Sequence, residues 1–317
     1  MTEQTQETAP KSEFAEQVPS LTVDEVPQIA LRQLIDAGVH FGHQTNRWNP
    51  KMSPFIYGAR NGIHIIDLDQ SVRLLKRALE FLANAVARGG QVLFVGTKRQ
   101  AQEVIIDEAI RSGQFHVTGR WLGGTLTNFR TMKTGIERLR ALELMGTDGT
   151  LATLTKKEAL TLTREQDRLE KFVGGIKDMT QMPAAMFVID PNHEHIAVSE
   201  ANRLAIPVVA LTDTNCNPDQ VQYIIPGNDD AIRSVKLISG AIADTCIFGQ
   251  SRRREFMHVS HRRDEGGGPQ VEFSRRERQN RRGGGVGGGG GGGGGNAAGN
   301  AEPTESTPPA TEGDAQA

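Results

Sequence analysis

The run Val92-Leu93-Phe94-Val95 constrains this chain more than any other feature. A strand with no polar alternation is buried on both faces, which a sheet achieves when helices cover both of its sides. Amphipathic stretches alternate with this run and with further extended pieces at Phe115–Val117, Ala184–Ile189, Pro207–Leu211 and Val221–Ile225. One such stretch, capped by Asp67 or Asp69, carries Leu75, Leu79, Leu82 and Val86 at steps of 4, 3 and 4 and ends at Gly89-Gly90. Helices are also expected over Ala30–Val39, from Arg99 to Ser112 and from His195. A last one opens at Asn228-Asp229-Asp230 and carries Ile232, Val235, Ile238 and Ile242 on one face. His40–Pro54 reads as a loop, followed by extended pieces at Phe55–Tyr57 and Ile63–Ile66 around the turn Ala59–Gly62. The pattern predicts an α/β domain with a parallel sheet and helices on both faces.

An insertion over residues 127–176 breaks the alternation. Phe129, Met132, Ile136 and Leu139 step by 3, 4 and 3, and Leu162, Gln166, Leu169, Val173 and Ile176 step by 4, 3, 4 and 3. The turn Gly146-Thr147-Asp148-Gly149 separates them, so the pattern predicts an inserted antiparallel coiled-coil hairpin. The α/β domain then comprises residues 28–126 and 177–250.

The ends read differently. Residues 1–27 are acidic, without apolar periodicity, and are expected to be disordered, as is 251–317. The formal net charge of −2 hides a division, because Arg252–Arg282 holds ten arginines against five acidic residues before a glycine run and an acidic end. Such asymmetry points towards nucleic acid, and a flexible Arg/Gly-rich tail suits phosphate backbones. Cys216 and Cys246 are far apart and no export signal or membrane-length apolar run is present, so a cytoplasmic protein without disulfides is expected.

Enzyme sites in doubly wound sheets lie at strand carboxyl ends. There the chain offers Gly96-Thr97-Lys98-Arg99, Asp190-Pro191-Asn192-His193-Glu194-His195 and Asp213-Thr214-Asn215. The first could bind a phosphate of a nucleotide, a sugar phosphate or RNA, but GxxxxGK[ST] and GxGxxG are both missing. His193 and His195 suit a metal poorly, since positions i and i+2 diverge on a helix, and His40 and His43 show no nucleophile–base arrangement. No catalytic residue, metal, cofactor or small-molecule substrate is therefore assigned. RNA draws on more places. Arg47-Trp48-Asn49-Pro50-Lys51, Arg120-Trp121-Leu122-Gly123-Gly124 and Thr127-Asn128-Phe129-Arg130 set cations and amides beside aromatics and glycines. The bland reading of each tryptophan is a core anchor.

Several of these segments belong to a longer ordered pattern. LIDAGVHFGH (34–43), RWNPKMSPFIYGARNGIHIID (47–67), FVGTKRQA (94–101), RWLGGTLTNFRT (120–131), LTKKE (154–158), GGIKDM (174–179), FVIDPNHEHIAVSEANRLAIPVVALTDTN (187–215) and IIPGNDDAIRSVKL (224–237) together resemble the bacterial ribosomal protein S2 family. The resemblance implies a flavodoxin-like three-layer domain with a protruding coiled-coil hairpin and no catalysis. It also implies binding to small-subunit ribosomal RNA beside neighbouring small-subunit proteins, and help in recruiting ribosomal protein S1. At matched positions it implies RNA proximity for Trp48, Asn49, Lys51, Arg60, Lys98, Arg99, Trp121, Asn128 and Arg130, and loop composition adds Arg47 and Arg120. Ala205 departs from the family pattern, which has glycine before Ile-Pro. If its φ were positive it would cost about 1 kcal/mol. The alternatives are a cytosolic nucleotide or sugar-phosphate enzyme using the Gly96–Lys98 turn, and an RNA-independent scaffold built on the hairpin.

Overall fold

The buried runs do form one sheet. In the computed structural model, which describes Leu21, Val26 and residues 29–265 (backbone alone at 151, 152 and 259–265), β4 is Val92–Val95, β5 Phe115–Val117, β6 Ala185–Ile189, β7 Val208–Thr212 and β8 Tyr223–Pro226. They lie in the order β5-β4-β6-β7-β8, all parallel. Renumbered within the sheet, that is the 2-1-3-4-5 order of flavodoxin-like folds. Side chains alternate between two cores. Val92, Phe94, Phe187, Val209 and Leu211 enter one, while Leu93, Val95, Met186, Val188, Val208 and Ala210 enter the other. Phe94 and Phe187 meet edge to face at 5.5 Å between ring centroids.

The first core is closed by α2 (Leu68–Ala87), α3 (Arg99–Ser112) and α7 (Ile232–Glu265). Asp67 caps α2, accepting from the Asp69 N–H, and the chain leaves it through Gly89 at φ +92°. Asn228 Oδ1 accepts from the N–H groups of Asp230 and Ala231, which starts α7 and turns Asp229 inward. The second core lies under α6 (His195–Arg203), the loop through Trp121 and Leu126, and the base of the insertion.

The insertion is α4 (Phe129–Thr147), a single helical turn at Thr150–Thr153, and α5 (Lys156–Val173). Thr155 and Glu158 form a capping box on α5, and Arg138 pairs with Glu165 at 2.9 Å. Ile136, Leu139, Leu142 and Val173 are buried, whereas Leu144 and Leu160 farther out are exposed. The buried contacts thus concentrate at the base. Knobs-into-holes packing along the whole expected coiled coil does not follow from them.

Three expectations need correction. Within the expected loop His40–Pro54, Phe41–Gln44 is strand β1 and Thr45–Arg47 and Pro50–Phe55 are 3-10 turns. β1 joins β2 (Ile56–Arg60) and β3 (Ile63–Ile66) in a small antiparallel sheet ordered β1-β3-β2. Asn61 and Gly62, both at positive φ, form the hairpin turn. The last helix runs to Glu265, beyond the boundary at 250, and it is in contact with the domain on both sides of that boundary. Gly249 packs on α2 against Ala83 and Val86, and the Arg253 guanidinium lies on Gly89 just past the α2 C-terminus, where cations are favoured. At the other end Leu21 and Val26 are buried in the first core, with Leu21 N–H donating to Asn84 Oδ1 at 2.6 Å. The remaining expectations for the two tails lie outside the described residues.

Candidate nucleic-acid interface

Two carboxylate sites decide which of the expected RNA-facing residues look outward. Glu200 on α6 is the first. It is buried and accepts from Trp121 Nε1 (3.1 Å), the N–H groups of Gly124 (2.7 Å), Leu126 (3.0 Å) and Thr127 (3.0 Å), and Thr127 Oγ1 (3.0 Å). Burial alone would raise its pKa. The hydrogen bonds outweigh that and hold it below the ordinary glutamate value. One side chain therefore pins the loop from Trp121 to Thr127. Trp121 is a core anchor here, 6 % exposed, as its bland reading had it. Arg120, Asn128 and Arg130 flank the pinned loop and are exposed.

The second site lies at the carboxyl ends of the strands, where doubly wound folds bind ligands. Lys98 follows β4, and its ammonium lies 2.8 Å from Asp229, 2.8 Å from Asp230 and 3.1 Å from Asp190. Desolvation would lower the Lys98 pKa, but Asp229 and its neighbours raise it well above the ordinary lysine value. Thr97 gives both its N–H and its hydroxyl to Glu194. A carboxylate thus takes the place where a phosphate would sit in the Gly96–Lys98 turn. The small antiparallel sheet lies over the same crevice. His43 N–H donates to Asp213 Oδ1 and Thr214 Oγ1, and Asn49 N–H to the Thr214 carbonyl at 2.8 Å. Gly42 permits this approach, since a Cβ there would lie 2.7 Å from Thr214 Cγ2. The turn that looked ready for an anion is internally satisfied. Lys98 turns its charge inward.

Of the cations expected to face RNA, those left outward without an acidic partner are arginines. Arg47, Arg60, Arg99, Arg120 and Arg130 are exposed and none has an acidic partner at ion-pair distance among the described residues. Arg47 and Arg60 belong to the small sheet and its flank, with Trp48, 40 % exposed, tilted against His64 at 5.3 Å. Lys51 is exposed but paired with Asp219, and Asn49 spends its side chain capping the turn at Lys51 N–H. His193 and His195 are not brought to any group of potential metal ligands among the described residues.

Sequence reasoning missed Glu200, Asp213, Asp229 and His43 as organising groups. Glu200 did leave a signal, an acid beside Ala197, Val198 and Ala201 on the buried face of a short helix.

Residues 34–249 match the family model described as ribosomal protein S2. The chain is 65% identical over 227 residues to the small ribosomal subunit protein uS2 of Sorangium cellulosum, covering 72% of this chain and 82% of that one. It is 57% identical over 227 residues to the proteins of the same description from Oleidesulfovibrio alaskensis and Maridesulfovibrio salexigens, covering 72% of this chain and 87% and 88% of theirs.

Proposed function

The chain belongs to the ribosomal protein S2 family, and from that premise we propose that it binds small-subunit ribosomal RNA through its outward arginines. Its role is that of a structural constituent of the small ribosomal subunit in translation, without enzymatic activity, in the cytoplasm. The observation that carries the RNA reading is the contrast among cations. Lys98, Arg111, Arg138, Arg140 and Lys177 are paired with carboxylates, while Arg47, Arg60, Arg99, Arg120 and Arg130 are exposed without such partners among the described residues. Unpaired guanidiniums suit bidentate phosphate binding. Trp48 beside Arg47 offers a ring face for an unpaired base. Asn128 can add a polar contact at the sugar–phosphate backbone.

Recruitment of ribosomal protein S1 belongs to the same reading and rests on family membership. The division into an RNA-binding α/β domain and an inserted hairpin over 127–176 is likewise part of the proposal. The test is sedimentation of lysate on sucrose gradients at moderate and high salt. Stoichiometric recovery in the small-subunit peak at moderate salt supports the reading, and recovery in the soluble fractions alone overturns it. Subunits lacking this chain should also lose S1.

A further inference from the structure

The two stretches of chain outside the family match meet at one place in the fold. The match spans 34–249, and α7 runs past it to Glu265. Along α7, Ile242, Cys246, Gly249, Arg253 and Phe256 recur at steps of 4, 3, 4 and 3, the stripe of a helix packed along a neighbour. As far as Gly249 that neighbour is α2, through Ala83 and Val86. α2 ends at Ala87, and the Arg253 guanidinium already lies on Gly89 beyond it. The stripe outruns its partner. Phe256 is nonetheless only partly exposed, with Met257 beside it 39 % exposed. The chain's other end arrives at the same point. Asn84, one turn before Arg88 on α2, accepts from the Leu21 N–H at 2.6 Å and donates to the Leu21 carbonyl at 3.0 Å. After Leu21 the chain leads to the helix Leu31–Asp36, where Leu31 and Ile35 lie beside Leu68 at the start of α2. The residues before Leu21 therefore leave towards the end of α2.

We propose that this extension of α7 is the docking face for the chain's own acidic N-terminal segment, Glu13–Ser20, with Phe14 against Phe256 and Glu13 and Glu16 facing Arg88 and Arg253. The reach is sufficient. Asn84 to Gly89 is about 7.5 Å along α2, which three extended residues span at roughly 3.3 Å each. That brings Glu16, Phe14 and Glu13 alongside the α7 extension. The charges are complementary. Residues 1–20 carry Glu3, Glu7, Glu13 and Glu16 against Lys11 alone. Arg88, Arg253 and Arg254 are exposed without an acidic partner at ion-pair distance among the described residues. Arg88 and Arg253 also stand between the incoming acids and the negative end of the α2 dipole. Exposed ion pairs are individually weak, so burial of the Phe14 ring holds the segment and the charges select it. The two extensions thus act as one unit, and Arg88 and Arg253 are withheld from RNA.

The experiment is hydrogen exchange of the full-length chain, read by mass spectrometry at residues 13–20 and 251–258. Amides of both stretches should exchange at least about tenfold more slowly in the parent than in Phe14→Ser. Glu13→Arg/Glu16→Arg should lose most of that protection, and adding Arg88→Glu/Arg253→Glu to it should restore the protection. The arginines changed are exposed, so the fold is retained. In a second measurement, Ala15→Cys/Met257→Cys should form an intramolecular disulfide on mild oxidation, since Cys216 and Cys246 are buried. Free exchange of 13–20 in the parent, or failure of the reversed charges to restore protection, overturns the assignment. So does protection or linkage that arises only between chains as concentration rises, which would give the face to a second copy. A lower salt slope of ribosomal RNA binding in Arg88→Glu/Arg253→Glu would give it to RNA and overturn the assignment as well.

Discussion

Glu200 and Asp229 are both buried carboxylates near the edge of the same sheet, and they sit in opposite surroundings. Glu200 receives five hydrogen bonds and keeps its charge, its pKa held below the ordinary value against the pull of burial. Asp229 shares one ammonium with Asp190 and Asp230. Burial and then the charges of Asp190 and Asp213 push its pKa up to about 7. The difference teaches that the donors each carboxylate receives, set against the cost of its burial, decide whether a buried acid organises its neighbours or strains against them. Where donors exceed acceptors, a loop is fixed and its arginines are left to face outward. In the acceptor-rich crevice, the cation is drawn in.

The largest expected effect follows from removing the well-satisfied acid. Glu200→Ala strands the Trp121 indole N–H and the Leu126 amide in an apolar setting, and should cost about 3 kcal/mol in denaturant unfolding. A cost near zero would break the comparison. Its pH dependence sharpens it. Because the folded pKa of Glu200 lies below the unfolded value, the carboxylate's contribution is fully present above the unfolded pKa of about 4.3 and is lost as pH falls through the folded pKa. The stability gap between the parent and Glu200→Gln should therefore close in acid.

A smaller change concerns the end of the same helix. Ala205 has φ +54°, a left-handed conformation that glycine adopts without strain. Ala205→Gly should stabilise the protein by roughly 0.5–1 kcal/mol, read as a shift of the denaturation midpoint. Smaller still, Asp229→Asn should change stability by less than about 1 kcal/mol. Its amide oxygen can still accept from Lys98 while its NH₂ offers donors to neighbouring carboxylates. If Asp229→Asn destabilised as much as Glu200→Ala, the acceptor-rich description of the crevice would be wrong.

Much of the frame was legible because it is written in local pattern. The apolar runs gave the buried parallel strands, the Asp67 cap and Gly89-Gly90 bounded α2, and Asn61-Gly62 marked a hairpin turn. The site was less legible because its partners are distant in sequence. Glu200 reaches back to Trp121 and Thr127, and Lys98 reaches forward to Asp190 and Asp229. A glycine-bearing turn with lysine reads as an anion cradle until its tertiary carboxylates are known. β1 escaped notice because Phe41-Gly42-His43-Gln44 lacks β-branched residues and is ordered by contact with Asp213 and Thr214.

The central claim is that outward arginines bind ribosomal RNA while Lys98 does not. Binding of the full-length chain to small-subunit ribosomal RNA across a salt series tests it directly. Arg120→Ala/Arg130→Ala should weaken binding and lower the slope of log affinity against log salt by about 0.9 for each phosphate that is no longer neutralised. Lys98→Gln/Asp229→Asn, which removes the lysine together with one of its carboxylates, should leave the slope at the parent value. The reverse pattern, with the slope unchanged in the arginine variant and reduced in the lysine variant, would contradict the account and return the crevice to the RNA.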